Sequence, residues 1–415
     1  MNFLKKVVKQ KNEGKYILSL DVGTKAAKAL VSHVDFEKDE IVNIGIGKSE
    51  QKTGNIIGGK IVNIEGVTNA CREAIEKASI MAGTAPQEVI MGFSGNIVKV
   101  CTHTFEIARD KPQEKIYPEE LKEIIGDIYR KEQEEIRRGL NYRERQAGIK
   151  LVSADIVDFS IDGYRVLNPL NFKGSRLRIG ITGSYILSTD FDVVNEIASN
   201  LNLRLVKIAY GPYAVMRALG SVETSAFSAI MIDVGGNITD VVIVKNGNIQ
   251  KTGMFILGGH PFTKRIANQL NISEKDAESL KIRYSRGSLS EEENLHVKEI
   301  LSDDIDLWFS GVELLLREGA IDLLLPHRIL FYGGGSQLPG IASCLNHLKD
   351  SNISFADKIK LDFIRLEHIS DVFDQTNKLN NFQDITLVGL AHLYLDSVNV
   401  EDVSNNILAE IILKK

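Results

Sequence analysis

Two stretches of this chain share one pattern of apolar and polar positions. In each, an apolar run ends in Asp-Val-Gly, passes through a polar turn and continues into a second apolar run. The first spans residues 17–31 and the second spans residues 229–244. Because glycine tolerates the backbone angles of a tight turn, each stretch predicts a β-hairpin closed by glycine.

The two hairpins carry candidate chemistry at their turns. Glycine allows backbone N–H groups to converge on an anion, and an adjacent carboxylate can hold a hydrated divalent cation. Asp21 and Asp233 supply those carboxylates. One such run alone would equally be an ordinary strand ending in a turn. Two of them facing each other would clamp a single Mg-nucleotide.

A third glycine turn lies near the end of the chain, within residues 327–340 (HRILFYGGGSQLPG). An apolar strand precedes Gly333, Gly334 and Gly335, and Pro339 marks a helix start. The segment is interpreted as a phosphate or nucleoside loop before a helix N-terminus, or as a flexible connecting turn. The order of the three turns resembles the actin-like ATPases. The resemblance implies an α/β fold with two actin-like lobes, each built on the duplicated RNase H-like unit.

The region between the first and second hairpins predicts a helix and then an inserted unit. Apolar residues at helical spacing predict a helix within residues 61–82. Residues 95–176 predict a small α+β insert, with one amphipathic helix whose apolar stripe includes Leu121 and Ile128. The charged residues 130–145 are interpreted as the solvated continuation of that helix and a loop. Alternation over residues 151–161 predicts a strand that turns at Asp162-Gly163.

These patterns divide the chain into successive units. The second actin-like lobe is expected to contain a helical part over about residues 272–325, and its end is expected to return to the first lobe. The predicted units are a basic amphipathic tail (1–14), the first lobe (15–94), the insert (95–176), the rest of the first lobe (177–222), the second lobe (223–395), and a linker with a C-terminal amphipathic segment (396–415).

Composition excludes several classes of protein. With 415 residues, 43% hydrophobic and 25% charged, the chain can bury a large core and should form more than one lobe. A net charge of −5 without a basic tract argues against nucleic-acid binding. The three cysteines have no CxxC spacing, which argues against zinc and disulfides. Without an apolar run of membrane-spanning length or a secretory signal, the chain is expected to be cytoplasmic.

The insert narrows the resemblance to one branch of the actin-like proteins, because the division protein FtsA and its pilus relative PilM have such a segment and actin does not. The runs at residues 58–83 and 163–178 are similar to those that flank the insert in FtsA. The second hairpin with its continuation, residues 233–270, leads into DAESLKIRY, which matches the family's AExxK helix. The chain therefore resembles the FtsA family.

This resemblance implies a role for each matching residue at an ATP and Mg²⁺ site. Asp21 and Asp233 would bind Mg²⁺ through water. Lys28 would face the phosphates, or be a solvated strand lysine. Glu278 and Lys281 would border the adenosine, or form an ion pair that needs no ligand. The remaining expected nucleotide contacts are Gly23, Thr24, Gly235, Gly236, Thr239, the Gly258-Gly259 turn, Gly333, Gly334, Gly335 and Ser336.

The sequence departs from the family pattern in ways that bear on catalysis. The second hairpin has Gly-Gly-Asn-Ile in place of GGGT, which leaves Thr239 as the one hydroxyl before Asp240. The crossover between the lobes, residues 208–218, contains no Asp, Glu or Gln to orient an attacking water. Because phosphoryl transfer depends on such positioning, we expect ATP to be bound well and hydrolysed slowly.

The resemblance also implies partners. An FtsA-like protein would self-associate into filaments, bind the C-terminal tail of FtsZ through the helical part of its second lobe, and dock on the inner face of the cytoplasmic membrane. In the helical part of the second lobe, an apolar stripe lies beside basic residues and consists of Ile300, Leu301, Ile305 and Trp308. Trp308 is, however, more typical of a core position. A PilM-like platform for pilus assembly and a small-molecule kinase of the same superfamily remain the alternatives.

Both ends of the chain are candidate membrane anchors. At the N-terminus Phe3, Leu4, Val7 and Val8 oppose a row of lysines, and at the C-terminus Ile407, Leu408, Ile411 and Ile412 share one face. An apolar face beside basic residues suits a helix that lies on an anionic bilayer. A frayed tail and a helix packed on the body are the alternatives.

Overall fold

A computed structural model of the chain describes residues 15–220, 227–321, 324–380, 382–397 and 403–413. The predicted N-terminal anchor, residues 1–14, lies outside these ranges. The first lobe begins with six strands and one helix. They are β1 (Lys15–Val22), β2 (Ala26–Asp35), β3 (Glu40–Glu50), β4 (Ile56–Ile57), β5 (Lys60–Ile61), α1 (Ile64–Ala82) and β6 (Glu88–Phe93).

Helix α1 confirms the helical pattern predicted for this region. Asn63 begins it by accepting a hydrogen bond from the Gly66 N–H, and Gly83 ends it in the left-handed conformation. Its buried face, which includes Cys71 and Ala74, packs on β2 and β3. The helix therefore covers one side of the first sheet.

The insert follows directly after β6 and has its own core. Its elements are β7 (Val98–Ala108), α2 (Pro118–Gly139), α3 (Tyr142–Ala147), β8 (Ile149–Ile161), β9 (Tyr164–Arg165) and β10 (Arg176–Leu187). The strands form a sheet in the order β7-β10-β8-β9, and the apolar stripe of α2 packs on it. The predicted turn at Asp162-Gly163 is confirmed, with both residues at positive φ. The sheet extends to Leu187, beyond the predicted boundary at 176.

The charged stretch after residue 130 differs from its predicted form. Helix α2 continues to Gly139, and a second short helix, α3, begins after the Asn141 capping box. Within this stretch Glu132 is fully buried against the sheet. The interpretation of these charged residues as uniformly solvated is therefore wrong at Glu132.

The chain then returns to the first lobe through α4 (Ser188–Asn200), β11 (Arg204–Tyr210) and α5 (Gly211–Gly220). Strand β11 pairs in parallel with β6. The first sheet takes its final strand from near the end of the chain and has the order β11-β6-β1-β2-β3-β17, where β17 spans Val372–Asp374.

The second lobe is built from a contiguous part of the chain. Its sheet has the order β14-β13-β12-β15-β16. Its elements are β12 (Ala229–Val234), β13 (Thr239–Lys245), β14 (Asn248–Phe255), α6 (Gly259–Leu270), α7 (Glu274–Ser285), α8 (Glu291–Gly319), β15 (Arg328–Tyr332), the 3-10 turn Gly334–Gln337, α9 (Pro339–Cys344), the 3-10 turn Leu345–Asp350 and β16 (Lys360–Phe363). The 3-10 turn Leu366–His368 follows, and Leu366 packs against the core of the first lobe.

The stripe predicted on α8 as a partner surface belongs to the core of the second lobe. Leu301, Ile305 and Trp308 are buried, and Ile300 packs against the same cluster. The indole N–H of Trp308 donates to the Thr239 hydroxyl at 2.9 Å. The alternative of a core tryptophan is therefore correct.

The chain ends by crossing back over the first lobe and the insert. Helix α10 (Ile385–Ser397) packs on α5 and β1, and α11 (Val403–Leu413) packs on α2 and β8 of the insert. Leu408 of α11 is buried, so the predicted C-terminal anchor has its apolar face covered by protein. In the ranges that the structure describes, no helix is both long and apolar enough to cross a membrane.

Candidate functional site

The two predicted hairpins have the same construction. In the first, the Gly23 N–H donates to the Ala26 carbonyl at 3.1 Å, and in the second the Gly235 N–H donates to the Ile238 carbonyl at 2.9 Å. In both, the aspartate lies two residues before this glycine, in the last positions of the strand. The sequence repeat is thus also a structural repeat.

Three of the predicted phosphate donors have other partners. The N–H groups of Gly23 and Gly235 close their own hairpins. The Thr239 hydroxyl is fully buried, donates to the Leu257 carbonyl at 2.6 Å and accepts from the Trp308 indole. The expectation that Thr239 supplies a hydroxyl to a phosphate is therefore wrong, because this face of β13 points into the core.

The two hairpins meet at their turns, across the junction of the lobes. The Asn237 N–H donates to the Thr24 hydroxyl at 3.0 Å. A side chain at Gly236 would place its Cβ 2.9 Å from that same hydroxyl oxygen. Glycine at this position therefore permits the approach of the two turns, which brings Asp21 and Asp233 to one place.

The third glycine turn packs against the second hairpin. Gly333 has a φ of 86°, and a Cβ on it would lie 2.2 Å from Oδ1 of Asp233. The buried Ser336 hydroxyl donates to the Gly333 carbonyl at 2.7 Å, so Ser336 caps this turn. Gly335 packs on Val234, whereas Gly334 has room beside Gln383. The structure thus brings all three predicted turns together.

Lys28 faces the carboxylates and not the bulk solvent. It is opposite Asp21 in the hairpin register, and its ammonium lies 3.5 Å from that carboxylate. The same ammonium lies 3.9 Å from Asp384 and contacts the Gln383 carbonyl. Asp384 is fully buried and also pairs with Lys48 at 2.7 Å. Asp384 was not predicted, since nothing near residue 384 in the sequence resembles a site motif.

Glu278 and Lys281 of α7 form the ion pair that the spacing allowed, at 2.8 Å. Lys281 also donates to the Gly259 carbonyl and the Thr263 hydroxyl, and Glu278 accepts from Lys25 of the first hairpin. Burial alone would raise the pKa of Glu278, but Lys281 and the hydrogen bonds lower it to about 2. The pair therefore ties the two lobes together beside the turns.

The Gly258-Gly259 turn contacts the second hairpin through its backbone. The N–H groups of Gly259 and His260 donate to the carbonyls of Gly235 and Gly236, at 2.9 and 2.7 Å. A Cβ on Gly258 would lie 2.6 Å from the Gly235 carbonyl oxygen. This turn supports the second hairpin from behind.

A second buried carboxylate that was not predicted joins the lobes. Asp240 accepts from the Gly95 N–H at 3.0 Å and from the Tyr210 hydroxyl at 3.1 Å. Gly95 and Tyr210 belong to the first lobe side, whereas Asp240 lies on β13. An aspartate directly before the apolar run 241–244 of β13 was the available signal, because a buried carboxylate needs partners.

The site holds more carboxylates than lysines to pair with them. Burial raises the pKa of Asp233 to about 8, with further increases from Asp240 and Asp21, while Lys28 opposes the shift. Burial also raises the pKa of Asp21, and it raises that of Asp240 to about 6. These carboxylates resist ionisation unless a cation lies beside them, and the ligand atoms that they offer are all oxygens. Both properties fit a hard cation such as Mg²⁺.

Comparison with known proteins supports the resemblance. The family model described as cell division protein FtsA matches residues 230–374. The cell division protein FtsA of Neisseria meningitidis serogroup B is 28% identical over 282 residues, which is 67% of this chain and 63% of that protein. The FtsA of Bacillus subtilis is 22% identical over 367 residues, which is 83% of this chain and 79% of that protein. The resemblance to FtsA is confirmed.

Solved structures share the fold. A chain of the PilM-PilN type IV pilus biogenesis complex superposes with a TM-score of 0.63 at 17% identity, over 91% of this chain and 98% of that chain. The ethanolamine utilization protein EutJ from Carboxydothermus hydrogenoformans gives a TM-score of 0.50 at 15% identity, over 94% and 96% of the two chains. Both have the actin-like ATPase fold, and the predicted α/β fold is confirmed.

Proposed function

We propose, from this resemblance to FtsA, that the chain is an ATP-binding protein of bacterial cell division. It would self-associate into filaments and connect FtsZ to the inner face of the cytoplasmic membrane. The main support for this proposal is the position of the family match in the chain. Residues 230–374 include the second hairpin, the Gly258-Gly259 turn, helix α7 and the third glycine turn. The part of the chain that the FtsA family model matches thus supplies the second lobe's half of the candidate site.

ATP with Mg²⁺ is the ligand that we propose for this site. Asp21 and Asp233 would hold the hydrated cation, which neutralises their charge, while Lys28 and the N–H and hydroxyl groups of Gly236 and Thr24 would face the phosphates. Glu278 and Lys281 would border the adenosine.

The residues at the crossover between the lobes support slow hydrolysis of ATP. The segment 208–218 holds no carboxylate or amide side chain, and its Tyr210 hydroxyl already donates to Asp240. Burial beside Asp240 raises the pKa of Tyr210 well above its usual value, so this phenol does not act as a base. The nucleotide would therefore govern assembly more than it drives turnover.

The FtsZ tail would bind the exposed side of the helical part of the second lobe. With the stripe on α8 buried, the available surface there includes the apolar Ile282 and Leu295 and the basic Arg283 and Arg286, all exposed. Arg283 lies 3.6 Å from Glu293, a loose contact that an acidic peptide could replace. Charge complementarity of this kind gives transient, salt-sensitive binding.

The test is fluorescence polarisation with an FtsZ C-terminal peptide from the same organism, in Mg-ATP. We expect saturable binding with a Kd on the order of micromolar that weakens with salt. Arg286→Ser should reduce the affinity severalfold, whereas Arg178→Ser, an exposed arginine on the insert, should not. Absence of saturable binding, together with a protein that stays monomeric on lipid, would contradict the division function and favour the pilus alternative.

A further inference from the structure

The insert contains a cluster of three side chains that the nucleotide site does not use. Cys101 and His103 lie two residues apart on β7 and so share one face of the strand. Glu132 approaches that face from α2. The Glu132 carboxylate lies 2.7 Å from Nδ1 of His103 and 3.8 Å from Sγ of Cys101. All three ligand atoms lie within 4.8 Å of one another.

Glu132 occupies a position that the helix pattern assigns to an apolar residue. The buried face of α2 runs through Leu121, Ile125 and Ile128 and continues at Ile136, with Glu132 between them. The carboxylate has no exposed surface. Because an isolated buried charge is costly, the Glu132 carboxylate requires partners at this position that can donate hydrogen bonds or carry positive charge.

The sheet leaves space for this carboxylate. Gly183 of β10 lies opposite Cys101 in the register. A Cβ on Gly183 would lie 2.8 Å from Oε1 of Glu132 and 3.1 Å from Ile136. A larger residue at 183 would therefore displace the acid from the strand that carries the thiol and the imidazole.

We propose that Cys101, His103 and Glu132 form a Zn²⁺ site in the insert. A thiol, an imidazole and a carboxylate are the three ligand types that zinc takes in proteins, and they come here from two elements. The bond lengths of tetrahedral zinc place its ligand atoms roughly 3.3–3.7 Å apart, so the triangle requires shifts of about 1 Å. The His103 side chain is 33% exposed, which leaves a fourth position open to water.

The ion would fasten α2 to the sheet of the insert. Sequence spacing did not reveal this site, because the absence of a CxxC pair only excludes sites built from paired cysteines. The ligands here are separated by an intervening loop and by half of a helix. They come together only when α2 packs on the sheet.

The test is calorimetric titration of the metal-stripped full-length protein with ZnCl₂ in excess Mg²⁺, which occupies oxygen-only sites. We expect one equivalent of zinc, bound with submicromolar affinity. Cys101→Ser and His103→Gln should each weaken binding at least tenfold, and Cys344→Ala, a buried thiol in the second lobe, should leave it unchanged. Zinc should also raise the melting temperature of the wild-type protein by more than that of the two ligand variants.

Binding that is absent, or that persists unchanged in both ligand variants, would overturn the proposal. Cobalt gives a second measurement that needs no variant. Co²⁺ bound in this site should show a thiolate-to-cobalt charge-transfer absorption in the wild-type protein, and a spectrum with oxygen ligands alone would also overturn the proposal.

Discussion

Asp21 and Asp233 occupy equivalent positions in two similar hairpins, but the residues opposite them differ in charge. Lys28 lies across from Asp21, whereas a second carboxylate, Asp240, lies across from Asp233. The two hairpins therefore share a backbone arrangement but differ in their charges. The second hairpin supplies the excess negative charge, and Asp233 has the most to gain from a cation.

Replacing Asp233 by Asn should weaken Mg-dependent binding of ATP by about 1–3 kcal/mol, because the change removes the charge and keeps the shape. Calorimetry with and without Mg²⁺ measures the effect. Asp192→Asn, at an exposed carboxylate on α4, is the matched control and should bind as the wild type does. Equal Mg-ATP affinity in Asp233→Asn and wild type would refute the assignment of Asp233.

Residues of the candidate site could be predicted where they lie in one continuous run. Asp21, Asp233 and Gly333 stand next to strand ends and glycines, so the pattern alone singles them out. Asp384 and Asp240 were missed, since their partners come from distant parts of the chain. Thr239 was assigned wrongly because the direction of its side chain depends on Trp308, which is far away in the sequence.

Among the elements, α11 shows how a terminal amphipathic helix can belong to the core. Asn405 exchanges two hydrogen bonds with the backbone of Ile156 on β8, at 2.6 and 3.0 Å. Glu410 pairs with Lys122 of α2 at 2.9 Å. With Leu408 buried between them, the helix is an integral part of the insert.

Leu408→Ala should therefore destabilise the insert by about 2–4 kcal/mol, as expected for truncating a buried leucine. Hydrogen exchange of the β8 and β10 amides should accelerate in this variant, since weaker packing makes local opening of the insert easier. Ala409→Ser, at an exposed position on the same helix, should change exchange little. If Leu408→Ala leaves exchange of these strands unchanged, α11 does not stabilise the insert.

Elements with a long periodic pattern were predicted well, and short or edge elements were not. The α2 stripe and the turn at Asp162-Gly163 followed from local patterns. The three-residue strand β17 was not foreseen, because it exists only by pairing with β3. The insert's sheet continues past the expected end of the insert at 176 for the same reason, since β10 begins at Arg176 and pairs with β7 as far as Ile186.

On the scale of the whole molecule, contacts near the glycine turns hold the lobes together. Asn237 bonds to Thr24, Asp240 bonds to Gly95 and Tyr210, and Glu278 pairs with Lys25. The overall two-lobed architecture was predictable from the resemblance to the actin-like ATPases that the order of the turns carries. These crossing contacts were not, because each joins residues from different lobes.

The proposed attachment to the membrane concerns the whole chain, and the buried face of α11 shifts our expectation to the N-terminal segment. Deleting residues 1–14 should abolish salt-sensitive co-sedimentation with anionic liposomes, because an apolar face with several lysines needs both contributions to bind. Deleting residues 403–415 should leave co-sedimentation largely intact. The opposite pattern would show that α11 leaves the insert to bind lipid.

The return of β17 and α10 to the first lobe has a consequence for the order of events during synthesis. The second lobe lies within residues 229–363, so it can close as soon as that stretch has left the ribosome. The first lobe begins earlier but must wait for residues 372–397, which complete its sheet and core. We therefore expect the lobe that is made first to become protease-resistant last, and digestion of nascent chains from which residues up to 371 have left the ribosome would show an already resistant second lobe beside a first lobe that is still cut.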